Sequence, residues 1–272
     1  MSELRIGLQM ISVKDVTPKD IIGVMEEVAR LGYEGVEFAR GFFGRTADEI
    51  KAACDRLNLL PVSNHVFIEL MREDINAVIR DCKLLNMPYI AFPGPGMNTF
   101  HAPEEDIARL IGEIHRMAER FKADGIQCIL HSPMELYEKD QQGRVLFDRI
   151  LEEIPAELLQ AQIDTAWALV GGMDPADMIR RYAGRTDIVH IKDFKPPIPT
   201  QEVMAARRDA AYLQDAEVGD GVQDVPRILR ACKESGVKWV IVEHMEKDVY
   251  EDSIRSVGIS LNHIRDVLKS IG

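Results

Sequence analysis

The sequence predicts one α/β domain, a closed (β/α)8 TIM barrel that extends over residues 1–272. Three observations lead to this prediction: the chain length, the alternation of short apolar runs with longer amphipathic ones, and the residues that follow the first apolar run. A closed eight-stranded barrel needs roughly 250 residues. Hydrophobic residues make up 46% of the chain and charged residues 29%, which is typical of a globular domain.

Each short apolar run is predicted to be a strand, and each amphipathic run with apolar residues at helical spacing a helix. The predicted strands are Arg5–Gln9, Gly35–Phe38, Pro61–His65, Pro88–Phe92, Ile126–His131, Ala161–Asp164, Asp187–Ile191 and Trp239–Glu243. The clearest predicted helices are Asp20–Leu31, one that begins near Thr46, Pro103–Ala123 and Ser253–Leu268. Gly32 and Gly125 are helix stops, and Thr46 with Glu49 forms a capping box.

Strands that alternate with helices pair in parallel through right-handed crossovers, and eight such units close into a barrel. The alternative is an open, doubly wound sheet, which usually carries a glycine-rich phosphate loop after its first strand. Here the first strand continues into Gln9-Met10-Ile11-Ser12, which contains no glycine. The barrel is therefore favoured.

The formal net charge of −12 opposes nucleic-acid binding, which depends on neutralising phosphates. No apolar run reaches the length of a membrane span, and the first residues lack a signal-peptide profile. We therefore expect a cytoplasmic protein without a membrane or nucleic-acid partner, and homo-oligomerisation is left open. The four cysteines form no Cys-x-x-Cys pair, so buried reduced thiols are expected.

Chemically active side chains recur where the predicted strands end, at the mouth where barrel enzymes place their chemistry. From the second strand onward these positions are Glu37, His65, Pro93, His131, Asp164, His190 and Glu243. Taken singly, Asp164 could be a helix cap and each histidine a packing residue. Buried carboxylates are costly unless compensated, and a divalent cation shared by Asp164, His190 and Glu243 would compensate two of them. This donor set suits manganese, magnesium, zinc or cobalt.

Several ordered motifs carry a resemblance to a known family along nearly the whole chain. They include Gly7-Leu8-Gln9, Leu31-Gly32-Tyr33-Glu34-Gly35-Val36-Glu37-Phe38, Asp164-Thr165-Ala166-Trp167, Val189-His190-Ile191-Lys192-Asp193, Val218-Gly219-Asp220-Gly221-Val222 and Trp239-Val240-Ile241-Val242-Glu243. With these motifs the sequence resembles the sugar phosphate isomerase/epimerase family. These are the xylose isomerase-like barrels that include inosose dehydratase and the tagatose and psicose epimerases.

The resemblance implies a set of site residues. Asp164, His190 and Glu243 take metal-ligand positions, and Lys192 takes the position of a polar group near the substrate. Many relatives carry His-Asn-His-x-x-Glu at the end of strand five, or a glutamate directly on the strand. This chain has His131-Ser132-Pro133-Met134-Glu135, one residue shorter and without the second histidine. Either Glu135 or His131 completes the ligand set. Substrate contacts are predicted for Glu37, His65 and Trp167.

The implied reaction is proton removal beside the carbonyl of a keto-sugar or related polyol. An isomerase or epimerase would use Glu243 and Glu135 on the two faces of the substrate. If Glu135 is not in place, His131 becomes the candidate base and elimination by a dehydratase is favoured. A sugar-binding barrel without catalysis is a rival of another class. A nuclease of the endonuclease IV type is disfavoured, since such sites gather more histidines and the net charge opposes DNA.

The distance of 53 positions from His190 to Glu243 exceeds every other gap between strand ends. We expect an insertion at about 194–217, with a helix at Gln201–Tyr212. Such a segment over the mouth would act as a lid that excludes water or selects the substrate. A surface elaboration or a dimer contact is the alternative.

Overall fold

The computed structural model describes residues 4–39, 41–95, 102–199, 213–244 and 252–272. Eight parallel strands form a closed barrel in the order β1-β10-β7-β6-β5-β4-β3-β2, which confirms the predicted fold class. The barrel strands are β1 (Arg5–Gln9), β2 (Gly35–Ala39), β3 (Leu60–His65), β4 (Tyr89–Phe92), β5 (Gln127–His131), β6 (Leu159–Asp164), β7 (Ile188–Ile191) and β10 (Trp239–Val242). β8 (Asp193–Phe194) and β9 (Asp215–Ala216) form a separate two-stranded sheet.

Helices connect the barrel strands and cover their outer faces. The helices are α1 (Ile21–Leu31), α2 (Ala47–Leu57), α3 (Ile68–Leu85), α4 (Glu104–Ala123), α5 (Leu146–Glu153), α6 (Thr165–Val170), α7 (Pro175–Arg181), α8 (Val225–Ser235) and α9 (Ser253–Ile271). The capping box of Thr46 and Glu49 begins α2 as predicted. Gly32 ends α1 in the left-handed conformation, with φ of 99°. All four cysteines are buried free thiols.

The interior of the barrel is apolar towards the N-terminal ends of the strands. One compact cluster there is separate from the main core between strands and helices. It consists of Val62, Tyr89, Ala91, Ile129, Ile188, Trp239 and Ile241. Gly35 makes room for Trp239, because a Cβ on Gly35 would lie 2.9 Å from the Trp239 ring. The polar residues at the C-terminal ends of the strands therefore stand on a packed apolar base.

The buried carboxylate of Asp193 binds the two ends of the predicted insertion together beside the barrel. Asp193 pairs with Ala216 across the β8–β9 ladder, directly after β7. Its carboxylate accepts four backbone N–H bonds of 2.9 to 3.1 Å, from Phe194, Gly219, Gly221 and Gln223. This bonding explains the Val-Gly-Asp-Gly-Val motif as the segment that closes around Asp193. The predicted helix Gln201–Tyr212 lies outside the described residues.

Replacing Gly221 by alanine is expected to lower the free energy of unfolding by about 1–3 kcal/mol, the usual cost of overpacking. A Cβ at this position would lie 2.1 Å from Asp193 Oδ1 and 2.5 Å from the Phe194 carbonyl oxygen. Urea denaturation measures the effect. Gly112→Ala within α4 is the control, because its Cβ would only approach the flexible Arg116 side chain at 3.4 Å. Gly112→Ala should raise the free energy of unfolding by about 0.5–1 kcal/mol. Equal stability of Gly221→Ala and the wild type would contradict the tight closure.

Among the described parts of the chain, no helix combines the length and apolar character that crossing a bilayer requires.

Candidate active site

Four buried side chains at the ends of neighbouring strands form a possible metal site. They are His131, Asp164, His190 and Glu243, and one potential ligand atom from each lies within 4.8 Å of the others. Asp164 and His190 are direct partners in the register of β6 and β7. Glu243 follows β10, and its backbone N–H extends the ladder to the Ile191 carbonyl at 3.2 Å. The strand-end pattern in the sequence thus corresponds to one cluster in space.

The structure brings His131, and not Glu135, into this cluster. His131 is the last residue of β5, whereas Glu135 lies on a 3-10 helix at Met134–Tyr137 and is half-buried. His131 is 6% exposed, and its Nδ1 atom has no hydrogen-bond partner. A buried nitrogen without a partner is costly unless something binds it. The donor set of Asp164, His190 and Glu243 fits a divalent cation, and the unpartnered nitrogen of His131 lies beside it.

Asp164 serves two structural roles at once. Its Oδ1 accepts hydrogen bonds from the backbone N–H groups of Ala166 and Trp167, at 2.9 and 3.0 Å, and so caps α6. Its Oδ2 lies 3.1 Å from the Lys192 ammonium. Asp164 therefore caps a helix, as the sequence suggested, and its second oxygen lies in the cluster.

Lys192 is completely buried and places its charge between two carboxylates. Its Nζ lies 3.1 Å from Asp164 Oδ2 and 3.1 Å from Glu243 Oε1. It also lies 5.0 Å from the centre of the Trp167 ring, within cation–π range. Burial opposes the charged form, but Asp164 and Glu243 outweigh it and raise the pKa of Lys192. The ammonium occupies the position that a cation shared by these carboxylates would take.

Glu37 lies beneath the cluster and joins strands from around the barrel. It is 0% exposed. Its two oxygens accept from five side chains on four other strands, namely Gln9, Ser63, His65, Gln162 and His190. Burial would raise the pKa of Glu37, but His65 and His190 outweigh it and lower the pKa well below its usual value. The substrate contact predicted for Glu37 remains a prediction, since nothing here tests it; in the structure both its oxygens are occupied by protein groups.

His190 is held between two carboxylates. Its Nδ1 lies 2.5 Å from Glu243 Oε2, and its Nε2 contacts Glu37 Oε1. Burial opposes protonation, but Glu37 and Glu243 outweigh it and raise the pKa of His190 to about 10. A carboxylate behind a histidine fixes its ring and proton in many metal sites, and Glu37 has that relation to His190.

His131 has the opposite electrostatic environment. Burial and the neighbouring imidazoles of His190 and His65 lower its pKa well below the usual value. His131 is therefore a neutral ring, which carries one N–H group and one nitrogen that can accept a proton. Its ring centre lies 4.9 Å from those of both His65 and His190. The three rings together form an imidazole cluster beside the carboxylates.

His65 is the third member of that group, and its orientation is determined by two acceptors. Its Nε2 lies 2.9 Å from Gln162 Oε1 and 3.0 Å from Glu37 Oε1. Both oxygens accept only, so this nitrogen carries the proton. Gln162 was not identified from the sequence. It stands two residues before Asp164 on the same face of β6, which is the period-2 signal that could have found it.

The chain is similar in sequence and in fold to known proteins. A family model described as xylose isomerase-like TIM barrel matches residues 25–261. Inosose dehydratase of Geobacillus kaustophilus is 24% identical over 255 residues, which cover 81% of this chain and 78% of that protein. A sugar phosphate isomerase/epimerase from Parabacteroides distasonis has a similar structure, with a TM-score of 0.78, 17% identity and coverage of 97% and 94%. The IOLI protein, solved with a binding zinc atom, has a TM-score of 0.75, 14% identity and 99% coverage of each chain.

Proposed function

The chain belongs to the xylose isomerase-like TIM barrel family, and from that premise we propose that it is a divalent-metal-dependent lyase that removes water from a keto-sugar or keto-polyol. The observation that carries the proposal is the neutral, unpartnered Nδ1 of His131 at the end of β5, with Glu135 outside the cluster. The relationship to inosose dehydratase supports the same reaction class. Asp164, His190 and Glu243 would hold the cation, with His131 beside them. When bound, the cation would polarise the substrate carbonyl.

The proposed elimination uses His131 as the base and Lys192 as the acid. His131 Nδ1 takes the proton from the carbon beside the carbonyl, and the electron pair of that C–H bond forms the new double bond. The C–O bond of the neighbouring hydroxyl breaks, and the oxygen leaves as water with a proton from Lys192 Nζ. The proton on His131 then returns to Lys192 through Glu243, which contacts the lysine, so that both groups regain their starting protonation states. One substrate thus gives one unsaturated product and one water.

The number of available bases favours elimination over epimerisation. Inverting a carbon requires an acid/base group on each face of the substrate, whereas eliminating water requires one base and one acid. Within the described residues, Glu37 accepts hydrogen bonds from five side chains. Asp164 caps α6 with one oxygen and contacts Lys192 with the other. His131 is a neutral imidazole in this cluster, and its Nδ1 has no hydrogen-bond partner. Epimerisation remains the second candidate, because Glu243 is an ionised carboxylate in the same cluster.

The product of a metal-dependent assay in D2O tests this proposal. Metal-stripped protein is reloaded separately with manganese, magnesium, zinc or cobalt and incubated with keto-inositols and ketohexoses. Mass spectrometry is expected to find a product lighter by one water. His131→Gln should lower the rate at which this product forms by at least about a hundredfold. His115→Gln, at a half-exposed histidine on α4, should not change the rate.

Two other results would contradict the lyase. A product that has lost no water and carries one deuterium would identify an epimerase or isomerase. Sugar binding without turnover or deuterium exchange, under every metal, would identify a non-catalytic binding barrel.

The segment at about 194–217 remains a proposed lid. Lys195 is bound to Asp220 through both the Asp220 carbonyl and carboxylate, and Phe194 is buried, so the described base of the segment is attached to the barrel. Residues 200–212 lie outside the described residues.

A further inference from the structure

Two overlapping sets of ligand atoms occur at the mouth of the barrel. The first is the mixed set His131, Asp164, His190 and Glu243, and the second consists of His65, His131 and His190. In each set the potential ligand atoms lie within 4.8 Å of one another. His65 belongs only to the second set, whereas the two carboxylates belong only to the first. The sets therefore define two neighbouring positions for a cation, one rich in oxygen and one built from imidazoles.

Several contacts prepare the three-imidazole position for a metal. The rings of His65 and His190 are stacked, with 6° between their planes and 5.2 Å between their centres. Glu37 contacts both rings, so one buried carboxylate lies behind two of the three possible ligands. His131 adds the buried nitrogen without a hydrogen-bond partner. All three histidines are less than a tenth exposed.

The two positions differ in what a cation must displace. At the mixed position, the Lys192 ammonium already lies 3.1 Å from a carboxylate oxygen of both Asp164 and Glu243. A cation that depends on these oxygens competes with it. The set formed by the three imidazoles contains neither of these carboxylates, so an ion there does not compete with Lys192. At either position the ion has to displace a proton that His190 shares with Glu37 or Glu243. Manganese and magnesium prefer carboxylate oxygen, whereas zinc, nickel and copper bind imidazole well.

We propose that His65, His131 and His190 form a second cation position that selects zinc-class ions, while manganese and magnesium occupy the mixed position with Asp164 and Glu243. The inference rests on the proposed metal-dependent function and goes beyond it by assigning His65 as a ligand. Because both positions use His190, one chain holds one ion at a time. Zinc at the second position engages the His131 nitrogen that the elimination needs, so it should slow the manganese-supported reaction.

Separate titrations of zinc and manganese into metal-stripped full-length protein test this inference. Calorimetry is expected to give one ion per chain for each metal. His65→Asn should weaken zinc binding at least about tenfold and leave manganese binding within about twofold. His115→Asn should leave the binding of both metals unchanged. Retained manganese affinity also shows that the His65 variant is folded.

Cobalt(II), used as a spectroscopic substitute for zinc, provides an independent measurement. Its visible absorption should change in His65→Asn and stay unchanged in His115→Asn. Equal zinc affinity in His65→Asn and wild type, or an equal loss of zinc and manganese binding, would overturn the second position alone. A wild-type protein that binds neither metal would overturn the proposed function together with it.

Discussion

Glu243→Gln is expected to lower turnover by about 10²–10⁴-fold, the range for removal of a group that acts in proton transfer. Glutamine keeps the shape of the side chain but removes its charge. In the wild type, the two oxygens of Glu243 accept from His190 Nδ1 and from Lys192 Nζ. In the variant, the glutamine NH2 group replaces one of these oxygens, and a donor then faces a donor. Burial would raise the pKa of Glu243, but Lys192 and His190 outweigh it and lower the pKa well below its usual value. The wild-type group is therefore a carboxylate, and the variant loses that charge.

Steady-state kinetics and metal content measured on the same samples test this expectation. We expect the affinity for manganese to fall as well, because the carboxylate is a proposed ligand. Glu152→Gln, at an exposed glutamate on α5, is the matched control and should behave as wild type. Glu135→Gln should retain its metal, because Glu135 lies outside the cluster. A Glu243→Gln protein with full metal and full turnover would exclude both roles of Glu243.

Lys192→Met is expected to destabilise the metal-free protein by about 3–5 kcal/mol, the usual cost of breaking a buried ion pair. The substitution keeps most of the side-chain volume but leaves Asp164 and Glu243 without the cation that both contact at 3.1 Å. A divalent ion restores that charge. Manganese should therefore raise the melting temperature of Lys192→Met more than that of the wild type, although the variant has lost its proposed acid and should be inactive.

Urea denaturation without metal and thermal unfolding with and without manganese measure these effects. Lys238→Met is the matched control. Lys238 is about half exposed and pairs with Asp187 at 2.9 Å at the opposite end of the barrel. Its loss should cost less than about 1 kcal/mol, as for other surface ion pairs. If manganese stabilised Lys192→Met no more than the wild type, the ammonium would not occupy the cation position.

The sequence predicted the barrel well because its strands are short and buried. Each predicted strand agrees with the observed one to within two residues at either end. Runs such as Val240-Ile241-Val242 are apolar on both faces, and parallel strands between helices have this pattern. Strand ends then mark one edge of the barrel, so the sequence alone predicts that Asp164, His190 and Glu243 lie together.

The sequence could not predict side-chain positions that depend on the path of a loop or on contacts across the barrel. Which of His131 and Glu135 lies in the cluster depends on the 3-10 helix at Met134–Tyr137, and no spacing rule predicts that helix. The position of Lys192 between two carboxylates depends on the relative height of β7 and β10. Glu37 was predicted to contact substrate because it ends a strand. Its partners Gln9 and Gln162 come from distant segments, and only the closed barrel brings them together.

The network around Glu37 also limits how this protein can change by recombination. Its members come from five of the eight barrel strands, in both the first and the second half of the chain. A chimaera that takes some of these strands from a relative inherits an incomplete set, with buried donors or acceptors that have lost their partners. The loops at the mouth can be exchanged one by one without that penalty. Substrate preference can therefore diversify through loops, whereas this polar layer has to be inherited as a whole.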